Sequence, residues 1–145
     1  MKIQVVVDLS EISSNVVNEA IKFAKAADAE VWLLHVAEPE PEFVGSKVDT
    51  EVMRDVHAEE FHKEHRQLQL YASQFEESGL KTTALLIQGE TVKTILNQAK
   101  RHAADIIVMG SHKKGALTHL ILGSTSKGVL HHSDIPVMII PAAEN

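Results

Sequence analysis

The sequence predicts an open, doubly wound α/β domain: a five-stranded parallel sheet with helices on both faces, over residues 1–145 as one unit. Three observations predict it. Short apolar runs alternate with helix-period stretches from one end of the chain to the other. The runs are near-continuous Val, Ile and Leu rather than alternating apolar and polar, as in strands covered on both faces. Aromatic residues make up only 4% of the chain, so the core is built from Val, Ile, Leu and Ala. Alternating strands and helices imply right-handed crossovers, and the expected strand order is 3-2-1-4-5.

Ile3 to Val7 is the first strand, ended by Asp8-Leu9-Ser10. Ser13-Ser14-Asn15 supplies residues that favour helix caps, and a helix follows to about Ala27. Its apolar positions Val16, Val17, Ala20, Ile21, Phe23, Ala24 and Ala27 recur at helical spacing. Val31 to Val36 is the second strand. Residues 37–50 break the pattern, because Glu38-Pro39-Glu40-Pro41-Glu42 neither extends a strand nor starts a helix, and they read as a long loop. A polar helix is expected from about Glu51 to Ser78, with Val52, Val56, Phe61, Leu68, Ala72 and Phe75 on one face and Gly79 as its stop. Thr82 to Ile87 is the third strand, and Gly89-Glu90-Thr91 turns into a helix carrying Val92, Ile95, Leu96 and Ala99. Asp105 to Met109 is the fourth strand, and a helix is expected from Ser124 to His131. Ile135 to Ile140 is the fifth strand, closed by Pro141.

Doubly wound sheets bind ligands beyond the carboxyl ends of their strands, where the strand order reverses. In the expected order this point lies between the first and fourth strands. Asp8 ends one and Gly110 ends the other. Thirteen residues after Gly110, Gly123 is followed by Ser124-Thr125-Ser126 at a helix start. A helix N-terminus presents unpaired N–H groups and the positive end of its dipole, so this segment suits an anion such as a phosphate. Asp8 suits ribose hydroxyls or a base amine, and equally suits a cap of the first helix. Gly110 lets the backbone approach closely.

On these residues the chain resembles the universal stress protein family over nearly its full length. The nucleotide-binding branch of that family carries Gly-x-x-Gly, nine residues, then Gly-Ser/Thr. Here Gly110-Ser111-His112-Lys113 is followed by the nine residues from Lys114 to Leu122, then Gly123-Ser124. The opening Val7-Asp8-Leu9-Ser10-Glu11 and the closing Asp134-Ile135-Pro136-Val137 are similar too. The resemblance implies ATP or a related adenine nucleotide, with or without Mg²⁺, bound at the switch point. Carried over position by position, Asp8 meets the nucleoside and Val36 lines the base pocket. Met109 and Gly110 lie beneath the ribose and phosphates, and Gly123, Ser124, Thr125 and Ser126 hold phosphate oxygens. Two positions depart from the family pattern. Val6 stands where binding members often carry proline. Lys113 occupies the place of the second glycine, where its β-carbon would crowd a phosphate or its ammonium would bind one.

Other chemistry is poorly supported. A formal net charge of −6 argues against a general nucleic-acid binder. Cysteine is absent, which removes thiol catalysis, disulfides and cysteine metal sites and fits a reducing cytosol. No apolar run approaches the roughly 20 residues of a membrane span, and no secretory leader is visible. The P-loop pattern fails, since Ala116-Leu117 follows Gly115 where Lys-Ser/Thr belongs. A phosphotransfer receiver would need an acidic pair after the first strand, and Asp8 has no acidic neighbour. Among nine histidines, His62 and His65 share a helix face without a third metal ligand at a recognisable spacing. His35 reads as a hydrogen-bonded core histidine, and His131-His132 as a helix end.

The expectation is therefore a cytosolic adenine-nucleotide-binding regulatory module of stress responses, acting on an unidentified protein partner. Any catalysis would be slow ATP hydrolysis incidental to binding. The apolar edge strand Val137–Ile140 points to a homodimer. The competing expectation is an interaction module whose pocket Lys113 closes to nucleotides. Glu38, Glu40 and Glu42 lie on the ligand side and oppose a triphosphate, whereas the nearer Lys113 and Lys114 favour one.

Overall fold

Each apolar run forms a parallel strand, and each helix-period stretch a crossover. The computed structural model describes residues 1–39, 47–111 and 122–143. The elements are β1 (Lys2–Val6), α1 (Ser13–Ala26), β2 (Glu30–Ala37), α2 (Lys47–Glu77), β3 (Thr82–Gln88), α3 (Thr91–Arg101), β4 (Ile106–Gly110), α4 (Ser124–His132) and β5 (Val137–Ile140). The strands lie in the order β3-β2-β1-β4-β5. All pairings are parallel, with Val5 opposite both Leu33 and Val108.

Alternation along the strands divides the core into two layers. Ile3, Val5, Val31, Leu33 and Val108 face α1 and α2, where they meet Val17, Ala20, Leu68 and Phe75. Leu34, Val36, Ile107 and Met109 face α3 and α4, against Ile95, Ala99 and Val129. Burying each Val, Leu or Ile in these layers contributes about 1.5–3 kcal/mol. One polar side chain enters the second layer: Gln4 is fully buried, and its Nε2 donates to the Ile95 carbonyl at 2.9 Å.

Three helices end in the same turn. The second residue past the cap returns its N–H to the carbonyl five positions back: Ala29 to Ala24, Leu80 to Phe75 and Ala104 to Ala99. The residue before it must be left-handed. Gly79 (φ 83°) fills that place in the second turn, as the sequence predicts, whereas Asp28 (φ 49°) and Ala103 (φ 53°) fill it in the others.

Helix α2 starts at Lys47, so the expected loop over 37–50 is shorter than its composition suggests. Its 31 residues span roughly 46 Å at 1.5 Å per residue, well beyond the length of any strand. Among its described side chains, Leu68, Tyr71, Ala72 and Phe75 of the later part join the core. Val56, expected on the apolar face, is 46% exposed. A crossover helix runs antiparallel to the strands, so the overhanging start of α2 lies on the side of the strand carboxyl ends.

Candidate functional site

The switch point lies between β1 and β4, and a cavity of about 180 Å³ opens there. Asp8, Val36, Met109, Gly110, Gly123, Ser124, Thr125 and Ser126 all line it. The first acidic turn and the late glycine–hydroxyl segment therefore share one cavity, although more than a hundred residues separate them. Lys113, with His112, Lys114 and Gly115, lies outside the described residues.

Asp8 is exposed and anchors the β1–α1 turn. Its Oδ1 accepts from the Ser10 N–H at 2.9 Å, the Ser10 hydroxyl at 2.6 Å and the Ser13 hydroxyl at 3.1 Å. Three donors on one carboxylate oxygen hold the turn so firmly that Leu9 adopts φ 62°, a left-handed conformation that a branched side chain resists. The cap-type residues expected to start α1 act differently. The N-cap is Ile12, with no side-chain cap bond. Ser13 serves Asp8 instead, and Asn15 Nδ2 crosses to the Pro141 carbonyl at 2.9 Å, tying α1 to the end of β5.

Gly110 has a packing reason that its turn signature does not show. A β-carbon built there would stand 2.7 Å from Val16 Cγ2 and 3.1 Å from Ile12 Cδ1, so α1 closes directly over the end of β4. The Ser126 hydroxyl donates to the Gly110 carbonyl at 3.2 Å and docks the start of α4 on that strand. With its one hydroxyl proton engaged, Ser126 offers an anion its backbone N–H. The N-cap of α4 is Gly123, at φ −69° and ψ 171°. Glycine has no side-chain oxygen, so the first-turn N–H groups of α4 are left to other acceptors.

His35 is only partly the hydrogen-bonded core residue expected. It is 7% exposed, and its Nδ1 lies 2.9 Å from the Val7 carbonyl. Its Nε2 makes no hydrogen bond among the described residues and stands 3.5 Å from Glu64 Oε2. Thr91, at the start of α3, also lines the cavity. Its place after Gly89-Glu90 on a ligand-side turn is the sequence signal that would have found it. Glu64 carries no such signal, because nothing local marks which part of a long polar helix overhangs a site. His62 and His65 are exposed, and no group of three metal-ligating side chains occurs among the described residues.

Fold and crevice define the class: a doubly wound α/β protein whose cavity sits at the topological switch point, under an uncapped helix N-terminus. Residues 1–141 match the model of the universal stress protein family. The chain is 30% identical over 141 residues to the universal stress protein MJ0531 of Methanocaldococcus jannaschii, covering 96% of this chain and 81% of that protein. It is similar to the solved structure of the hypothetical protein MJ0577, with a TM-score of 0.79 and 25% identity, covering 99% of this chain and 97% of the other. It shares the fold of the universal stress protein from Archaeoglobus fulgidus solved in complex with dAMP, with a TM-score of 0.63 and 21% identity over 96% of each chain. The chain belongs to the universal stress protein family. No helix among the described residues is long and apolar enough to cross a membrane.

Proposed function

We propose that this chain is an adenine-nucleotide-binding regulatory module of stress responses, with ATP as its ligand, working in the cytoplasm as a homodimer. One observation carries the reading: Asp8 and the uncapped start of α4 line a single cavity. That cavity pairs a hydroxyl-accepting carboxylate with an anion-attracting helix end, and a phosphorylated nucleoside needs both. The complex of a family member with dAMP supports the same ligand class. Asp8 and Val36 take the nucleoside, Met109 and Gly110 underlie the ribose and phosphates, and Gly123, Ser124, Thr125 and Ser126 take the phosphate oxygens. Lys113 supplies an ammonium to the phosphates, and Mg²⁺ accompanies them. The edge strand Val137–Ile140 pairs two copies, and nucleotide occupancy biases a surface read by a protein partner.

Mass spectrometry of freshly purified, denatured protein tests the ligand, and titration calorimetry with Mg·ATP gives its affinity. Co-purified adenine nucleotide, or saturable binding by wild type, supports the proposal. Binding only after Lys113→Gly would instead establish an interaction module with a closed pocket. Sedimentation at micromolar concentration tests the dimer, and a monomer would refute that part.

A further inference from the structure

The switch-point cavity, at about 180 Å³, is smaller than the roughly 300–1,000 Å³ that encloses a small-molecule ligand. A whole nucleotide therefore needs adjoining space. A second cavity of about 520 Å³ adjoins it, and Asp8, His35, Val36, Thr91 and Thr125 line both. Its outer wall is the middle of α2, with Glu60, Phe61 and Glu64, and its floor includes Glu38 and Gln88 at the ends of β2 and β3. Its described lining includes four carboxylates and no lysine or arginine. The two cavities differ in their charge: the start of α4 lies at the first, and carboxylates crowd the wall of the second.

His35 is an independent pointer to the same chemistry. The Val7 carbonyl can only accept, so the Nδ1 it meets carries the proton. In the neutral ring Nε2 is then a lone-pair acceptor, buried and without a hydrogen bond among the described residues. It faces Glu64 Oε2, a second acceptor, at 3.5 Å. Glu64 is the reachable member of the pair, with 37% of its side chain exposed against 9% for His35. An N–H donor completes this pair, whereas a carbonyl oxygen would be a third acceptor beside His35 Nε2 and Glu64 Oε2.

We propose that the larger cavity holds the base of the nucleotide and that Glu64, backed by His35, reads its exocyclic amine, selecting aminopurine over ketopurine nucleotides. This rests on the nucleotide reading of the smaller cavity. Glu64 is the specificity-determining residue, and it comes from a helix that the phosphate-binding segments do not include.

The test compares Mg·ATP with Mg·inosine triphosphate by titration calorimetry, on wild type and on Glu64→Gln. Inosine triphosphate keeps the ribose and phosphates and replaces the amine by a carbonyl. The expected result is wild-type affinity at least tenfold tighter for ATP, falling to about threefold or less in Glu64→Gln, whose amide both donates and accepts. Equal affinities in wild type would overturn this inference and leave the phosphate site standing. A preference unchanged in Glu64→Gln would mean that Glu64 serves only His35, and would overturn it too. Failure of both ligands to bind wild type would overturn the phosphate-site reading and this inference with it.

Discussion

Two helices begin beside the crevice, and they begin differently. Helix α3 starts behind Glu90, whose carboxylate accepts from the Val92 N–H at 3.1 Å and the Lys93 N–H at 2.8 Å. Its first-turn donors are satisfied, and its dipole is met by a built-in anion. Helix α4 starts behind Gly123, which supplies no acceptor, yet its first residues line the cavity. The same backbone chemistry is closed off at one helix and left available at the other. A capped start is satisfied within the fold, and an uncapped start beside a cavity leaves its donors for another acceptor.

Moving the cap should have the largest effect. Gly123→Asp places a carboxylate on the α4 donors, at backbone angles that any residue adopts. Mg·ATP affinity should fall about 100-fold, roughly 2.7 kcal/mol, while stability in urea stays within about 0.5 kcal/mol. Unchanged affinity would mean that the α4 start holds no phosphate. Gly110→Ala tests the platform on which α4 rests. Its β-carbon meets Val16 and Ile12, so stability should drop by about 1–3 kcal/mol. A urea midpoint equal to wild type would show that α1 moves aside freely. Glu90→Ala removes the cap of α3 and should cost about 1 kcal/mol of stability with less than a threefold change in Mg·ATP affinity. A large affinity loss would place the anion at α3 instead.

The smallest effect lies at the far end of α3. His102 stacks on Trp32 with centroids 3.7 Å apart, and its Nε2 is 3.0 Å from Gln98 Oε1. Burial, then the nearby charges of Arg101 and Lys2, hold its pKa below the ordinary 6.5. The unfolded chain therefore takes up this proton first as pH falls. The contribution of His102 to stability is constant above about pH 7 and declines as pH drops through 6.5 and below. Urea unfolding at several pH values should show this decline in wild type and a shallower one in His102→Gln. Parallel profiles would remove His102 from the balance.

Much of this was legible from residue order. Period and composition mark the strands and crossovers, since a strand covered on both faces has to be apolar throughout. Gly79 marks a helix end because a left-handed residue is needed there, though Asp28 and Ala103 meet the same need without a visible signal. The glycine–hydroxyl segment after β4 marks a helix start at the crevice, where it lines the cavity. Local pattern misassigned Ser13 and Asn15 as caps, because what a hydroxyl or amide bonds depends on which chain segment passes beside it.

The amino-acid order alone determined the strand–helix alternation, the parallel sheet and the segments that meet at its reversal, because periodicity and turn chemistry are local properties. Tertiary structure alone decided that α1 packs on Gly110, that α2 overhangs the crevice, and that Glu64 faces the unpaired nitrogen of His35. Those contacts join residues far apart in sequence, and only the packing of helices onto a twisted sheet sets their distances.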